Sequence, residues 1–552
     1  MERSRYNNID VFIIFFLFLL LSIIYGDEQE QTVGLFLNDS ASYNGYTLFT
    51  PKASTSTYLI NNQGMLIHQW ISEFKPTMTA YILENGDLLR ASRITTGEVQ
   101  GGGFQILSWD SELLWEYKSV YQHHDIEPLP NGNVLLILND SRTKDEVIEL
   151  GGNSENLASS IRGLKIIEVE NDGNGSGNIV WEWSIWDHLV QDFDSTKINY
   201  ATISDHPELF DVNYMQMKSP DWLHTNGIDY NEELDQIVIS NRNINEIWII
   251  DHSITTEESS THSGGKYGKG GDIIYRWGNP ASYKLGTIDD QKLFGQHDAH
   301  WIKPGLTGEG NMLIYNNGMM RQDSSYSSID EIVLPITNEG KYSLQAGNKF
   351  MPDNSIWTYF LEPEYFSGRY SSAQRLPNGN TLICSGDKGI FFEINSRNDI
   401  VWKYINPVNN EGAIVQGEIP KYNSTGRCYR YSKDFLGFDG KELTPGKQIE
   451  LYENVSIVED KVEKVSEFKL SNAYPNPFNP STTIEFSIPK ENFVNITIYD
   501  LKGNVVDQLV NENKSGGNYK INWNAENYPS GVYLYKINAG NFSNIKKCIL
   551  VK

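Results

Sequence analysis

Cysteine is scarce in this sequence. Only three of the 552 residues are cysteines, namely Cys384, Cys428 and Cys548. Three thiols cannot build a disulfide scaffold, so burial of apolar surface must stabilise the fold. Cys384 and Cys428 fall on neighbouring units of the repeat described below. Either a disulfide between them or two buried free thiols would fit those positions.

Positive charge is also in short supply, because 45 lysines and arginines face 71 aspartates and glutamates, a formal net charge of −26. So acidic a surface repels nucleic acid and anionic membranes, which excludes both as partners. It suits a soluble extracellular protein, and it requires that any site for an anionic substrate be locally positive. Composition leaves the oligomeric state open, and a homodimer is compatible with it.

Long apolar runs are missing beyond the N-terminus. The one such run, Val11–Tyr25, follows Arg3 and Arg5 and ends before Gly26. Its length of about 15 residues is too short for a spanning helix, which needs about 20. We therefore predict a signal peptide at residues 1–26 and no stable membrane span after processing. An uncleaved anchor is the alternative.

Aromatic residues, by contrast, are plentiful at 12% of the chain, and they recur within a pattern of short strands. The pattern is easiest to follow at Ser371–Leu376, Thr381–Cys384, Ile390–Ile394 and Asp399–Tyr404, four apolar strands in a row. Pro377-Asn-Gly-Asn380 joins the first two, and its Asn-Gly pair supplies the left-handed turn residues that a tight hairpin needs. Further copies span Met78–Tyr117, His123–Trp183, His224–Trp277 and His297–Trp357.

One copy of the pattern is split between the two ends of the repeat. Tyr46–Trp70 holds three strands, and Arg427–Tyr431 is a single strand without successors, so we expect them to form one sheet. Four-stranded units repeated every 40–50 residues or so are typical of β-propellers. We predict an all-β chain with a six-bladed β-propeller at residues 33–446; an array of β-sandwiches is the alternative. The predicted outer strands carry Trp70, Trp115, Trp181, Trp277, Trp357 and Trp402.

Three histidines begin the first strands of three successive copies. They are His124, His224 and His297, and a turn follows each of them at the same spacing. In a propeller the first strands line the central channel, so these histidines should meet at one mouth. Met78 and Ser371 hold the equivalent position in two other copies. Long insertions should wall this mouth, as active-site loops commonly do; they are Asp140–Arg162, Ser184–Asp221 and Pro335–Asn354.

Histidines gathered at one mouth allow three interpretations. They can bind a metal, since three imidazoles and a water form a catalytic zinc site. They can supply a nucleophile with acid–base partners, or they can be structural. Asn226 and Arg242 lie near His224 and would clamp an oxyanion, which favours the second interpretation. A zinc site more often has a carboxylate behind its ligands and no cation, so no metal is expected. Asp125 and Asp298 should point to the opposite strand face and be structural.

The motifs around these residues resemble those of the bacterial arylsulfate sulfotransferases, over about residues 33–435. Members of that family are secreted six-bladed propellers that work without a nucleotide sulfate donor. The resemblance implies ping-pong transfer of a sulfuryl group from a phenolic sulfate ester to a phenol acceptor through a sulfohistidine, with no cofactor. The motifs are His124-Asp-Ile126, Asp221-Trp-Leu-His-Thr-Asn226, Ser240-Asn-Arg242 and Gln296-His-Asp-Ala299.

Matched residue by residue, the resemblance makes His297 the nucleophile. The family's best-known members have two cysteines close together in a loop near the nucleophile, and this chain has none there. A non-catalytic propeller that binds a ligand or a protein, and a metal-dependent hydrolase built on the three histidines, are the alternatives. The implied acid–base and substrate-binding residues are His124, His224, Arg242 and Asn226, with Ser371 or Ser372 in the place of a small hydroxyl residue.

The C-terminal segment has a different character. Glu450–Phe468 is charged and poor in aromatics, which is typical of a linker, and we place that linker at residues 447–470. Apolar and polar residues then alternate, which marks half-buried strands. A small Ig-like β-sandwich at residues 471–552 fits this pattern. The predicted strands are Thr483–Ile488, Val494–Tyr499, Asn518–Trp523, Val532–Ile537 and Lys546–Val551.

Short motifs in this segment resemble the type A C-terminal sorting domain of the type IX secretion system. They are Tyr474-Pro-Asn-Pro-Phe-Asn-Pro480, Tyr499-Asp-Leu-Lys-Gly503, Ser530-Gly-Val-Tyr533 and Lys546-Lys547. The resemblance implies that the type IX machinery is a partner. It also implies export through the periplasm to the cell surface or the medium. A sandwich that binds carbohydrate for an appended enzyme is the alternative.

Overall fold

The computed structural model describes residues 30–94, 101–214, 219–319, 321, 324–337, 339–342, 349–452, 468–490, 492–514 and 517–552. The predicted signal peptide at residues 1–26 lies outside the described residues, as does the part of the predicted linker at 453–467. The chain divides into two compact units, Met1–Tyr452 and Glu453–Lys552. Among the residues described, no helix is both long and apolar enough to cross a bilayer.

The first unit is built from short strands, as its sequence predicts. In chain order they are β1 (Gly34–Asn38), β2 (Gly45–Pro51), β3 (Ser56–Asn61), β4 (Leu66–Ile71), β5 (Pro76–Ile82), β6 (Leu88–Ser92), β7 (Gly103–Leu107), β8 (Leu113–Lys118), β9 (Gln122–Pro128), β10 (Val134–Thr143), β11 (Ser160–Asn171), β12 (Gly177–Ser184), β13 (Leu189–Val190), β14 (Phe210–Asp211), β15 (Thr225–Asn231), β16 (Gln236–Asn241), β17 (Glu246–Asp251), β18 (Tyr275–Trp277), β19 (His297–Trp301), β20 (Met312–Asn316), β21 (Ser328–Ile332), β22 (Trp357–Phe360), β23 (Ser372–Arg375), β24 (Thr381–Ser385), β25 (Ile390–Ile394), β26 (Ile400–Ile405) and β27 (Thr425–Ser432). Two short helices, α1 (Lys144–Glu149) and α2 (Thr256–Ser259), accompany them.

Four consecutive antiparallel strands form most of the sheets. Four sheets are simple meanders, namely β5 to β8, β9 to β12, β15 to β18 and β19 to β22. A further sheet has the order β27-β2-β3-β4, and Tyr46 lies opposite Tyr431 in it. The predicted pairing of the two ends of the repeat is therefore confirmed. The sheet of β23 to β26 gains β1 as a fifth strand, with Asn38 opposite Trp402, which the sequence did not predict.

The first strands of these six sheets form a closed ring. Around the ring β27, β5, β9, β15, β19 and β23 each contact the next, and β23 contacts β27 again. Six separate apolar clusters lie between neighbouring sheets, so the core is divided radially. This division leaves the centre of the ring to polar side chains. Both Cys384 and Cys428 are buried free thiols in one of these clusters, so the disulfide alternative is wrong and the thiol alternative is confirmed.

Tryptophans recur on the outer strands because their indole N–H groups tie neighbouring sheets together. The Nε1–H of Trp115 donates to the carbonyl oxygen of Ser176 on the next sheet, at 2.6 Å. Trp181 and Trp402 make the same kind of bond at 2.8 Å and 2.9 Å. A buried indole is usually bonded to an acceptor, and for these three the neighbouring sheet provides it. The predicted outer-strand positions are confirmed for Trp70, Trp115, Trp181, Trp277 and Trp357, whereas β1 lies outside the strand of Trp402.

A layer of paired charges fills the centre of the ring. Arg427 of β27 lies 2.5 Å from Asp125 of β9 and 3.1 Å from Asp298 of β19. All three side chains are buried. The prediction that both aspartates are structural agrees with these contacts. A cavity of about 970 Å³ borders Arg427 and the hairpin ends of the first strands, and none of the three predicted histidines lines it.

The second unit consists of two sheets around one apolar core. The sheets have the orders β28-β29-β32 and β31-β30-β33-β34, and both contribute to one buried cluster. Phe478 of the proline-rich motif is buried 5.4 Å from Trp523, measured between ring centroids. The strands are β28 (Lys469–Leu470), β29 (Ser481–Ile488), β30 (Asn492–Tyr499), β31 (Val505–Lys514), β32 (Gly517–Asn524), β33 (Gly531–Ala539) and β34 (Phe542–Leu550). The sequence did not predict β28 and β31.

Candidate active site

The three predicted histidines lie together at the start of the first strands. His297 is the first residue of β19, His124 lies in β9, and His224 directly precedes β15. The ring centroids of His124 and His224 are 4.6 Å apart. His297 is close enough for its charge to lower the pKa of His124. We call the place where these rings meet the histidine mouth.

The repeat position of His224 differs from the prediction. The N–H groups of Leu129, Ile302 and Leu376 each donate across the hairpin that follows a first strand, so these residues are equivalent. The residues five positions before Leu129, Ile302 and Leu376 are His124, His297 and Ser371, so these three share one repeat position, as predicted.

The sheet of β15 to β18 can be aligned with the others through bonds between sheets. The N–H of Ile228 donates to Asp125, and that of Ala373 donates to Asp298, each on the preceding sheet. Ile228 and Ala373 are thus equivalent, and Asn226 then shares the repeat position of Ser371. The expectation that His224 holds this position is wrong. His224 reaches the mouth from two residues earlier, with a left-handed backbone at φ 46°.

The proton of His297 is fixed by a neighbour that the sequence interpretation overlooked. Nδ1 of His297 lies 2.7 Å from Oδ1 of Asn317. The amide nitrogen of Asn317 donates to the carbonyl oxygens of Ser367 and Tyr370, so its oxygen must face the imidazole. An amide oxygen only accepts, so Nδ1 of the neutral ring carries the proton and Nε2 carries the lone pair. Asn317 directly follows β20 as Arg242 follows β16, a signal that could have found it.

His297 is neutral at physiological pH. Burial lowers its pKa well below the usual value, the bond to Asn317 opposes this, and the charges of Arg242 and His224 lower the pKa further. A neutral imidazole with a free Nε2 has the lone pair that a nucleophile needs.

His224 is held by a carboxylate. Its Nδ1 lies 2.6 Å from Oδ2 of Asp221, three residues before it. Trp222 and Leu223 between them are buried in an apolar cluster, which holds Asp221 and His224 side by side. Burial opposes ionisation of Asp221, but the bond and the charge of His224 hold its pKa below the usual value. A carboxylate in this place accepts the Nδ1–H and orients the ring.

A fourth histidine, His123, belongs to the mouth and was missed. Its ring centroid lies 4.0 Å from that of His124 and 5.1 Å from that of His224. Nδ1 of His123 donates to the carbonyl oxygen of Thr225 at 3.0 Å. Burial, and then the charge of His224, lower the pKa of His123 to about 4. The paired His123-His124 in the sequence was the available signal.

The mouth is locally positive although the chain is strongly acidic. The guanidinium of Arg242 is bonded only to Asn243 and to the sulfur of Met319, at 3.1 Å and 3.5 Å, among the residues that are described. Lys52 also lies here, with its ammonium 4.1 Å from the ring centre of Tyr370. Burial, together with the charges of Arg93 and Arg369, lowers the pKa of Lys52 to about 7. These cations meet the requirement that the net charge places on an anion site.

The remaining predicted residues, Asn226, Ser371 and Ser372, make hydrogen bonds to neighbouring groups near the mouth. The amide nitrogen of Asn226 donates to the carbonyl oxygen of Gln296 at 2.8 Å, just before His297. The hydroxyl of Ser371 is bonded to Ser367 at 2.9 Å, and that of Ser372 accepts from the N–H of Cys428 at 3.4 Å. All three side chains are fully or almost fully buried. In this arrangement they hold backbone in place.

The three histidines that could hold a metal are not the three that the sequence predicts to meet at the mouth. The ligand atoms of His123, His124 and His224 all lie within 4.8 Å of one another, and His297 is not part of this group. A carboxylate, Asp221, does lie behind one of these rings. The sequence argument against a metal assumed that such a carboxylate was missing, and that assumption is wrong.

The structure thus shows a β-protein with histidines and the guanidinium of Arg242 gathered at one end of its ring of sheets. Comparison with protein families gives the family. Residues 38–430 match the arylsulfotransferase (ASST) model, and residues 472–552 match the secretion system C-terminal sorting domain. The chain belongs to the arylsulfotransferase family and carries a type IX sorting domain. That domain directs export to the cell surface or the medium.

Comparison with solved structures gives matches of low sequence identity and low TM-score. A protein of unknown function from Bacteroides caccae is 10% identical and has a TM-score of 0.36, with 70% of this chain and 99% of that chain covered. A catalytically inactive virginiamycin B lyase from Staphylococcus aureus with quinupristin is 9% identical and has a TM-score of 0.30, with 70% and 88% covered. For a periplasmic gluconolactonase from Pseudomonas aeruginosa the values are 8%, 0.31, 87% and 99%. No curated protein matches the chain.

Proposed function

We propose that this chain is a six-bladed β-propeller sulfotransferase with an Ig-like sorting domain. It moves a sulfuryl group from a phenolic sulfate ester to a phenol, in ping-pong fashion, through a sulfohistidine at His297. The observation that carries the proposal is the bond of His297 to Asn317, which leaves a neutral ring with its lone pair on Nε2. The unpaired guanidinium of Arg242 beside this ring supports an anionic substrate.

In the first half-reaction Nε2 of His297 attacks the sulfur of the donor. The N–S bond forms while the bond from sulfur to the phenolic oxygen breaks, and both electrons of that bond leave with the phenolate. Protonated His224, stabilised by Asp221, gives its Nε2 proton to the phenolate. General acid catalysis of this kind typically contributes about 10²–10⁴ in rate.

The second half-reaction reverses these steps with a new phenol. Neutral His224 takes the proton of the acceptor hydroxyl, whose oxygen attacks sulfur. The N–S bond breaks, and its electrons return to Nε2 of His297. Negative charge on the sulfuryl oxygens is held by Arg242 and by an imidazole N–H of His124, and such preorganised donors are worth most where charge develops.

The first prediction concerns His297. His297→Ala should lower the rate of transfer from an aryl sulfate by more than about 10³-fold, as the loss of a nucleophile does. It should also abolish protein labelling by a ³⁵S-labelled donor in the absence of an acceptor. The rate is measured by release of a chromogenic phenol, and the label by radiography of the separated protein.

The chain offers a matched control on the same strand. His300 also lies in β19, but it borders the large cavity away from the mouth. His300→Ala should therefore retain both label and turnover. Full activity of His297→Ala would overturn the assignment of the nucleophile. Phenol release that needs no acceptor would favour a hydrolase, and binding of aryl sulfates without turnover would favour a non-catalytic propeller.

A further inference from the structure

We infer that His123, His124 and His224 form a binding site for a divalent transition metal of the zinc class. We further infer that this metal competes with the sulfuryl group for the histidine mouth. The metal site stands on geometry alone. The competition rests on the proposed function, because that function assigns His124 and His224 to the sulfuryl group.

Two neighbouring first strands bring the three rings together. His123 and His124 belong to β9, and His224 directly precedes β15. Their ring centroids are 4.0 Å, 4.6 Å and 5.1 Å apart, and their ligand atoms lie within 4.8 Å of one another. Zn–N bonds of about 2.0–2.1 Å in a tetrahedron place the nitrogens about 3.3 Å apart. Small rotations of the rings can make up this difference.

The hydrogen bonds leave nitrogen lone pairs free for a metal. His123 donates its Nδ1–H to the carbonyl oxygen of Thr225, and His224 donates its Nδ1–H to Asp221, so Nε2 of each neutral ring is free. His124 is 4% exposed, and its Nδ1 has no hydrogen-bond partner. Metal-binding histidines almost always donate their other N–H to a carboxylate or a carbonyl oxygen. Two of these three rings are supported in this way.

A second group of histidines indicates how specific this arrangement is. His188, His262 and Asp272 also bring their ligand atoms within 4.8 Å of one another. Both ring nitrogens of His188, however, are bonded, to Asp272 at 2.9 Å and to the carbonyl oxygen of Ser259 at 2.8 Å. Neither nitrogen of that ring is open to a further ligand, so this group is a structural contact and serves as the control.

Charge and ligand type select the metal. Neutral imidazoles suit zinc, copper and nickel, whereas calcium and magnesium require oxygen ligands. The charged groups whose fields reach His123 and His124 include Asp221, which favours a cation, and Lys52, Arg162 and His297, which oppose it. Protons compete for the same lone pairs, so metal binding should weaken as the pH falls.

The consequence for the reaction follows from the shared residues. A metal bound by Nε2 of His224 removes the nitrogen that carries the acid–base proton. A metal on His124 removes a donor to the sulfuryl oxygens. Zinc should therefore inhibit transfer competitively with the donor, and a chelator should reverse the inhibition.

Cobalt provides the test, because Co²⁺ in a tetrahedral nitrogen site absorbs visible light. The mature full chain, stripped with a chelator, is titrated with Co²⁺ and then with Zn²⁺ at a pH above neutrality. We expect one equivalent of Co²⁺ to give visible bands that Zn²⁺ displaces. His123→Asn should weaken Co²⁺ binding by about 100-fold. Asp221→Asn should weaken it by about 10-fold or more, the usual effect of losing a supporting group.

His262→Asn is the matched control, and it should leave the Co²⁺ spectrum and affinity as in the wild type. Circular dichroism establishes that each variant is folded, and Asp221→Asn serves if His123→Asn is not. No visible bands at about a tenfold excess of Co²⁺ would overturn the site. Bands that survive both His123→Asn and Asp221→Asn would overturn it as well.

The spectral and kinetic readouts separate this inference from the proposed function. If Co²⁺ binds but no aryl sulfate is turned over, the metal site stands and the sulfotransferase proposal fails. If turnover is normal and Co²⁺ does not bind, only the metal site fails. If both occur, the inhibition constant for Zn²⁺ should rise in His123→Asn in step with the loss of Co²⁺ affinity; an unchanged constant would overturn the competition.

Discussion

Histidines at the mouth and histidines away from it differ in how their ring nitrogens are bonded. At the mouth, His123, His224 and His297 each hold one bonded ring nitrogen, so the other keeps its lone pair. Away from the mouth, His188 and His252 have both ring nitrogens bonded. His252 lies 2.7 Å from Asp235 and 3.1 Å from Glu168.

The partners of the ring nitrogens decide the charges of His252 and His123 and therefore their roles. Burial alone would lower the pKa of His252, but its bonds to Asp235 and Glu168 raise it to about 9. His252 is thus a fixed cation that joins two carboxylates. The pKa of His123, with one carbonyl partner, is lowered by burial to about 4. A neutral ring with a lone pair is available for chemistry, and a doubly bonded ring is not.

Arginine follows the same division. Arg276 of β18 is fully buried and lies 2.5 Å from Glu246. Its guanidinium also donates to Ser282 at 2.8 Å and to the carbonyl oxygen of Leu209 at 3.0 Å. Arg242, in the same sheet but at the mouth, has no carboxylate within bonding distance in the described parts of the chain. The paired charge of Arg276 stabilises the fold, whereas the charge of Arg242 can bind an anionic ligand.

Exchanging each arginine for methionine should separate these roles and give the largest effects. Arg242→Met should lower kcat by about 10²–10³-fold, because it removes a charge that stabilises the transition state. Its free energy of unfolding should change by less than about 0.5 kcal/mol. Arg276→Met should instead cost about 3–5 kcal/mol of stability, because Glu246 is left buried and unpaired. Kinetics with an aryl sulfate and denaturant titration measure the two quantities.

Arg276→Met should keep near-normal kcat per folded molecule below its unfolding temperature, which makes it the control for Arg242→Met. The division of roles would fail if Arg242→Met were unstable but active. It would also fail if Arg276→Met were stable and inactive.

Asn317 allows a finer test of why His297 is neutral with its lone pair on Nε2. Asn317→Leu removes the acceptor for Nδ1–H and should lower kcat by about 10²-fold through loss of orientation. Asn317→Asp restores an acceptor but adds a negative charge, which favours the imidazolium form. The acid limb of its pH–rate profile should therefore move to higher pH than in the wild type, since His297 must lose a proton to attack.

Ser327 supplies the matched control for Asn317. Its hydroxyl donates to the carbonyl oxygens of Asn317 and Ser367, at 2.9 Å and 3.3 Å, and it does not contact His297. Ser327→Ala perturbs the same loop and should leave the acid limb in place. An unmoved limb in Asn317→Asp would mean that Asn317 only supports the loop.

Much of the fold could be predicted from periodicity, and little of the hydrogen bonding could. Ile390–Ile394 was predicted with the bounds that the structure has, and the pairing of Tyr46–Phe49 with Arg427–Tyr431 followed from counting strands. Strand β1 was not predicted, because Gly34–Asn38 precedes the repeat and pairs with β26, which is distant in sequence. Its apolar residues carry no period that a short segment could reveal.

The sequence pointed to three of the four histidines that lie at the mouth, but not to the residues that hydrogen-bond to them. Spacing identified His124 and His297, whereas irregular register at the start of β15 placed His224 outside the repeat position. Asn317 was missed because it meets His297 only through the register of β19 with β20. Contacts between strands depend on register, and a one-residue slip changes every partner. Sequence spacing alone therefore could not fix the protonation of His297.

The smallest predicted effect compares His123 and His252 through the pH dependence of stability. The unfolded value for both is about 6.5. Between pH 6.5 and about 4, unfolded His123 binds a proton that the folded ring refuses, so stability falls as the pH drops through this window. Folded His252 keeps its proton up to about pH 9, so its stabilisation is complete below pH 6.5 and is lost as the pH rises toward 9. Each group can contribute at most about 1.4 kcal/mol per pH unit.

His123→Gln should flatten the acid side of a plot of unfolding free energy against pH, and His252→Gln the alkaline side. Identical changes in both variants would mean that His123 and His252 do not differ in protonation. That result would contradict the contrast between the histidines at the mouth and those away from it.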